Sequence, residues 1–363
     1  MKPLRSLHWM VNKMKAAVLY GKRDLRVEEI DPPKLNSDEV LVKVEYTGIC
    51  GSDLPRVLGN AAHYYPIILG HEFSGEVVET GPGVKNVTVG DRVAGSPLIP
   101  CHQCPDCLRG NYALCKHYSF IGSRLQGSWA EYVKLPARNA VRLPDGVTYE
   151  QGAFFEPATV ALHGLLVMGF SGGCDVAIIG MGTIGLLTLQ CAKILGAKRI
   201  FAFDLDQDKL ALAQQLGADV CVNTGDDQFR EVLPQLITEQ TGGAGFEQVI
   251  DAAGVEFTEK LSLELAANKG NVMFIGTPSQ NVTLTPHQFE HFNRKELTVR
   301  GSWMSYSAPF PGREWELAGY YFQNGQLTCD LLLDRKIPLT QIETAFHDFM
   351  IPGKVNGKVL MKG

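Results

Sequence analysis

The sequence predicts two fold classes in one chain: a mainly β domain, and an α/β domain built as a doubly wound parallel sheet. Three observations carry that prediction. Residues 1–157 alternate apolar and polar side chains between Gly/Pro turns, as in Glu39-Val40-Leu41-Val42-Lys43-Val44 and Glu76-Val77-Val78-Glu79, and a period of two marks half-buried strands. Residues 158–298 alternate buried strands with helical runs, the pattern of a parallel sheet covered on both faces. Residues 299–363 return to short strands such as Gly357-Lys358-Val359-Leu360. The first domain is incomplete without them and is therefore expected to be discontinuous. A chain of 363 residues, 45% apolar and 20% charged, suits two such domains with ample core.

In chain order, a leader comes first. Its Lys2 and Arg5 are followed by no apolar run of signal-peptide length, because Asn12 and Lys13 interrupt it. Met14-Lys15-Ala16-Ala17-Val18 reads as the natural start of the first strand. The organising stretch runs from Cys50 to Glu72. Cys50-Gly51-Ser52-Asp53 falls just after a strand and Gly70-His71-Glu72 just before one. Loops on a rigid sheet let donor atoms from distant positions converge. Thiolate and imidazole are good zinc ligands, but two do not hold a metal, and Glu156 in Phe155-Glu156-Pro157 is the expected third. Three protein ligands with an open fourth position describe a catalytic zinc. Each residue alone is more often structural: a lone Cys is a small core residue, and Ser52-Asp53 makes a good turn. In the metal reading, Asp53 or Glu72 accepts the second ring N–H of His71 and fixes its tautomer, while Ser52 passes a proton towards solvent.

A second cluster follows. Cys101, Cys104, Cys107 and Cys115 are separated by two, two and seven residues. Four thiolates in one excursion complete a tetrahedral zinc shell and leave no vacancy for chemistry. An iron–sulfur cluster, with related spacing, is the minor alternative. Bound metal would order a lobe too short to have its own core.

The α/β segment opens with the strand Val176-Ala177-Ile178-Ile179. Gly180-Met181-Gly182-Thr183-Ile184-Gly185 and a helical run from Leu186 to Leu195 come next, then a second strand ending at Asp204. A Gly-x-Gly-x-x-Gly alone is weak. Between a strand and a helix, with an acid 19 residues past its last glycine, it marks a dinucleotide site. Gly180 permits the turn, Gly182 lets backbone approach the diphosphate, and Gly185 lets helix pack on strand. Thr183 and Ile184 begin the helix whose N-terminus favours an anion. Asp204 would accept from the ribose hydroxyls and repel a 2′-phosphate, so NAD is expected over NADP. Gly276 and Thr277, at the end of a later strand, complete the expected cofactor contacts. About six parallel strands are predicted. The residues around Trp303 would line a cleft or simply pack in the core, and Cys174, Cys191 and Cys221 read as small apolar residues.

Composition excludes other classes. A net charge of −5 with pI near 6.0 and no Lys/Arg stripe argues against nucleic-acid or anionic-membrane surfaces. The apolar region Val176 to Leu195 is broken by glycines, Gln190 and Lys193, which argues against a membrane span. The cytoplasm is the expected compartment, and nine cysteines fit it if several bind metal.

Taken together, Gly70-His71-Glu72, the four-Cys lobe, Glu156 and the Gly180–Gly185 loop resemble the zinc-dependent medium-chain alcohol and polyol dehydrogenases. The resemblance covers nearly the whole chain from Met14. It implies a GroES-like catalytic domain and a Rossmann domain, two zinc ions per chain, NAD, and a homodimer or homotetramer. It also implies that Glu156 replaces the Cys used as third ligand by classical alcohol dehydrogenases, which is the polyol pattern, and that Glu72 visits the metal when substrate is absent. Cys50–Arg56, Ala62–Ile67, Phe120–Arg124 and Gly301–Met304 look most like members acting on a hexitol phosphate. Arg56, His63 and Arg124 are then candidate phosphate donors, each with an ordinary surface or ion-pair role as its alternative, and Trp303 is a candidate substrate contact. Rival readings are a dehydrogenase of free sorbitol, iditol or xylitol, and an NAD-binding sensor without chemistry.

Overall fold

The computed structural model describes residues 12–363, and the leader expectation at Lys2 and Arg5 lies outside them. The chain divides into two compact units. The first comprises the described residues up to Arg109, Cys115–Glu156 and Leu333–Gly363; the second comprises Gly110–Leu114 and Pro157–Leu332. The return to the first unit thus comes at Leu333, later than the sequence boundary near residue 298. The reason is local. Thr298–Gly301 pairs in parallel with Ala266–Phe274 as the edge of the second unit's sheet, and Trp315, Ala318 and Phe322 of the helix Arg313–Gln323 are buried there.

The first unit is mainly β. Met14–Gly21 is the centre of a three-stranded sheet between Asp24–Ile30 and Ile67–Ile68. Its middle is buried on both faces, which the small apolar run Ala16-Ala17-Val18-Leu19 allows. A seven-stranded sheet is organised on Glu39–Gly48, which pairs with Phe73–Thr80, Tyr132–Pro136 and Lys358–Lys362. Val40, Val42 and Val44, two residues apart, point to one core with Phe73, Val77 and Val133. Trp129 and Phe346 centre a second core, their rings 5.5 Å apart. The C-terminal strand Lys358–Lys362 is antiparallel to the end of Glu39–Gly48, so residues some 300 positions apart meet beside Cys50.

The second unit is a six-stranded, all-parallel Rossmann sheet. From one edge its strands are Val220–Asn223, Arg199–Asp204, Asp175–Ile179, Phe246–Asp251, Ala266–Phe274 and Thr298–Gly301. The order reverses at Asp175–Ile179, and ligands of such sheets bind beyond the carboxyl end of the strands at that switch point. Phe201, Phe203 and Phe246 pack edge to face beneath the helices. Cys174 and Cys191 are buried; Cys221 is half-buried, donating to the Leu210 carbonyl. Among the described residues no helix is long and apolar enough to cross a membrane.

Candidate functional site

Two groups of potential metal ligands stand out among the described residues, each with its donor atoms all within 4.8 Å of one another: Cys101, Cys104, Cys107 and Cys115, and Cys50, His71 and Glu72. The first is held by its own loop. Cys104 N–H donates to Cys101 Sγ and Cys101 N–H to Cys115 Sγ, both at 3.3 Å. Backbone N–H groups hold the Cys104 thiol down to about 6, whereas burial pushes Cys107 up to about 12. Four crowded sulfurs cannot all be anionic without a cation between them. The donor set therefore fits a closed zinc shell.

The second group is built by tertiary structure. Cys50 caps a short turn: its N–H donates to Asp53 Oδ2 at 3.1 Å, and Ser52 Oγ donates to its sulfur at 3.3 Å. His71 is aimed by Gly70, whose φ of +92° leaves no room for a side chain against Trp129. Its buried Nδ1 has no hydrogen-bond partner, with Asp53 Oδ1 facing it at 3.7 Å. Asp53, and not Glu72, is thus the carboxylate aimed at the imidazole. Glu72 is claimed by Lys358, a residue the sequence reasoning passed over. The Lys358 ammonium donates to both Glu72 oxygens at 2.6 and 2.7 Å and to the Ile49 carbonyl at 3.3 Å, with both side chains almost fully buried. The lysine hidden in an otherwise apolar strand, Lys358-Val359-Leu360-Met361, was the available signal.

Glu156 sits at the start of the helix Phe155–Met168, half-buried. It is not one of the three residues with donors within 4.8 Å, but it shares their field. Burial, opposed by His71 and reinforced by Glu72, pushes its carboxyl up to about 7. Burial and the Glu72 charge push the Cys50 thiol up to about 12. Burial raises Asp53 as well. Each shift records an anion destabilised by desolvation and like charge, and a divalent cation among them would reverse every one. A thiol, an imidazole and carboxyls whose anionic forms are penalised by burial, gathered within a few ångströms, make the residues fit a zinc ion.

The dinucleotide loop has the predicted form. The helix Thr183–Ile194 has Gly182 as its N-cap, without a side-chain cap. A Cβ on Gly182 would meet nothing within 4 Å, whereas one on Gly185 would collide with the Gly180 carbonyl. The open space at Gly182 and the N-terminal amides of this helix have the form a diphosphate cradle needs. Asp204 does not cap the next helix; Asp206 does, accepting from Asp208 N–H and Lys209 N–H. Asp204 accepts instead from Met181 N–H at 2.6 Å and Asp206 N–H at 2.9 Å, one bond on each carboxylate oxygen, which ties the glycine loop to the end of the neighbouring strand. Gly276 packs against Gly254 where the adjoining loops cross, with Thr277 next in line. Trp303 is 51% exposed on the loop after Thr298–Gly301, whereas Ser305 and Tyr306 beyond it are buried, so the core reading holds for those two and not for the indole.

Of the candidate anion donors, Arg56 Nη1 contacts Ser52 O at 2.6 Å, Ser52 Oγ at 2.9 Å and Asp53 Oδ1 at 3.4 Å. Arg124 lies over the Tyr118 ring at 4.6 Å. His63 is exposed.

Comparison with known proteins places these features in a family. Residues 36–145 match the alcohol dehydrogenase GroES-like domain and residues 183–318 match zinc-binding dehydrogenase. The chain is 43% identical over 337 residues to galactitol 1-phosphate 5-dehydrogenase of Escherichia coli (strain K12), covering 90% of this chain and 94% of that one. It is 34% identical over 279 residues to sorbitol dehydrogenase of Bacillus subtilis (strain 168), covering 76% and 78%. The crystal structure of galactitol-1-phosphate dehydrogenase from Escherichia coli superposes with a TM-score of 0.91 at 41% identity, covering 96% of this chain and 100% of that one.

Proposed function

The chain belongs to the zinc-dependent medium-chain polyol dehydrogenases, and from that premise we propose that it oxidises a secondary hydroxyl of a hexitol phosphate, galactitol 1-phosphate to tagatose 6-phosphate, with NAD. Zinc and NAD are the cofactors expected of this family. The observation that carries the substrate reading is the 43% identity to galactitol 1-phosphate 5-dehydrogenase along nine-tenths of the chain. In this reading Cys50, His71 and Glu156 hold the catalytic zinc, Glu72 is a carboxylate kept in reserve, and Cys101, Cys104, Cys107 and Cys115 hold the structural one. When bound, zinc supplies a Lewis acid for the alcohol oxygen and NAD accepts the hydride from carbon.

The chain's own residues do the rest. Asp53, 3.7 Å from His71 Nδ1, is the carboxylate that would accept its N–H and set its tautomer. Lys358 neutralises Glu72, so a buried carboxylate does not compete unopposed for the metal. Ser52, exposed and hydrogen-bonded to the Cys50 sulfur, carries the alcohol proton outwards. Gly182 and the amides beyond it bind the diphosphate, and Asp204 the ribose. The alcohol thus loses a hydride and a proton, leaving ketone, NADH and H⁺.

The relationship to sorbitol dehydrogenase favours a second reading, oxidation of an unphosphorylated polyol such as sorbitol, L-iditol or xylitol. One screen separates them: NADH formation with galactitol, sorbitol and their phosphates. A kcat/KM for galactitol 1-phosphate at least about 100-fold above that for galactitol is expected, the value of two charge-assisted phosphate contacts. Equal or better turnover of the free polyols overturns the phosphate reading.

A further inference from the structure

We propose that Arg56, Arg124 and His63 form a phosphate subsite beside the metal group, which gives this chain its preference for a phosphorylated polyol. The inference rests on the hexitol-phosphate reading above and names the residues that would enforce it. Two arms of structure lead from the metal ligands to these side chains. On one, Cys50 Sγ accepts from Ser52 Oγ at 3.3 Å, and Ser52 Oγ accepts from Arg56 Nη1 at 2.9 Å. On the other, the Phe120 ring stands edge-on to His71 at 5.6 Å, and Arg124 N–H closes a turn onto the Phe120 carbonyl at 2.9 Å. Arg56 is thus one turn from Cys50 through Ser52, and Arg124 one turn from Phe120, whose ring touches His71.

The charges on these arms are poorly neutralised. Arg56 spends Nη1 on Ser52 and, at 3.4 Å, on Asp53, which leaves Nε and Nη2 for another acceptor. Among the described residues no carboxylate pairs with Arg124, whose planar group is held by stacking on Tyr118 and a 3.4 Å contact to its hydroxyl. A guanidinium fixed flat by an aromatic ring is preorganised for a two-pronged grip on phosphate. Among the described residues no acid pairs with His63, which is exposed. Burial and the two guanidinium charges hold it below its usual range, so Arg124 and Arg56 are both close enough to act on it. Asp53 balances Arg56 only through that one 3.4 Å contact, and among the described residues Arg124 and His63 have no acid paired with them. A phosphate dianion would supply the missing counter-charge.

The test measures the ratio of kcat/KM for galactitol 1-phosphate to that for galactitol in wild type, Arg124→Ala, Arg124→Lys and Arg56→Met, together with calorimetric binding of inorganic phosphate to each NAD-free protein. A fall in the ratio of about 10- to 100-fold in Arg124→Ala and Arg56→Met, partial recovery in Arg124→Lys, and loss of the phosphate heat support the subsite. A wild type that prefers the phosphate ester while all variants keep its ratio overturns the subsite and leaves the substrate reading standing. A wild type without that preference sinks the substrate reading; the subsite then survives only if inorganic phosphate binds wild type and not Arg124→Ala, and falls if phosphate binds neither or both.

Discussion

The two metal groups of the first unit are made in opposite ways. The four-thiol group comes from 15 consecutive residues and is steadied by its own backbone N–H groups, from Cys101 and Cys104 among others. The Cys50, His71 and Glu72 group draws on separate loops, and its counter-charge, Lys358, arrives from the last strand of the chain. One shell is uniform and closed. The other mixes sulfur, nitrogen and carboxylate, with a reserve ligand already engaged elsewhere. The difference teaches that a uniform donor set can be assembled locally, whereas a mixed set of thiol, imidazole and carboxylate with its own counter-charge is assembled by tertiary structure.

The comparison is most sharply broken at His71. His71→Ala should lower kcat/KM by at least about 10³-fold, the several kcal/mol a Lewis acid contributes, and reduce zinc from two ions to one by elemental analysis. If the variant keeps two zincs and near-normal turnover, the assignment of the two groups is wrong. Next in size is Lys358→Met. Removing one partner of a buried pair strands the Glu72 carboxylate and should cost about 3–5 kcal/mol of stability, read as a lowered denaturant midpoint. Glu72 released from lysine should also bind zinc, so slower loss of metal to chelator is expected alongside reduced turnover.

Cys104→Ser probes the other side. It should also leave one zinc, and it should drop the melting temperature by several degrees, while activity per folded molecule stays within a few-fold. A ligand variant that loses activity but no stability would show that this lobe, too, serves the chemistry. The smallest effect is pH-dependent. In zinc-stripped protein Glu156 titrates near 7 when folded, against an ordinary value of 4.5. A carboxyl with a raised folded pKa contributes stability that is fully present below 4.5 and is lost as pH rises through 7. The melting temperature of the stripped enzyme should therefore fall between pH 4.5 and pH 7, and added zinc should abolish that slope. A flat profile in the stripped protein would mean that Glu156 lies outside the anionic group.

Much of this architecture is written locally. The Cys101–Cys115 spacing, the glycine loop before Thr183–Ile194 and the period-two valines of Glu39–Gly48 each state their structure within a few residues, because capping, pleat and ligand spacing are short-range physics. Asp204 was equally legible by position, although its second task of pinning Met181 N–H was not. The late return at Leu333 was missed, since nothing in residues 299–332 says that their helix packs on the parallel sheet's unit.

By itself the sequence determined the two fold classes, the clustering of four thiols and the strand–glycine loop–helix that opens the parallel sheet. Only tertiary structure decided that Asp53 faces His71, that Glu72 is held by a lysine 286 positions away, and that the Phe120 ring stands against His71. The physical reason is the range of the forces involved. Backbone geometry and ligand spacing act between chain neighbours, whereas the neutralisation of buried charge depends on whichever side chain the folded core brings within a few ångströms.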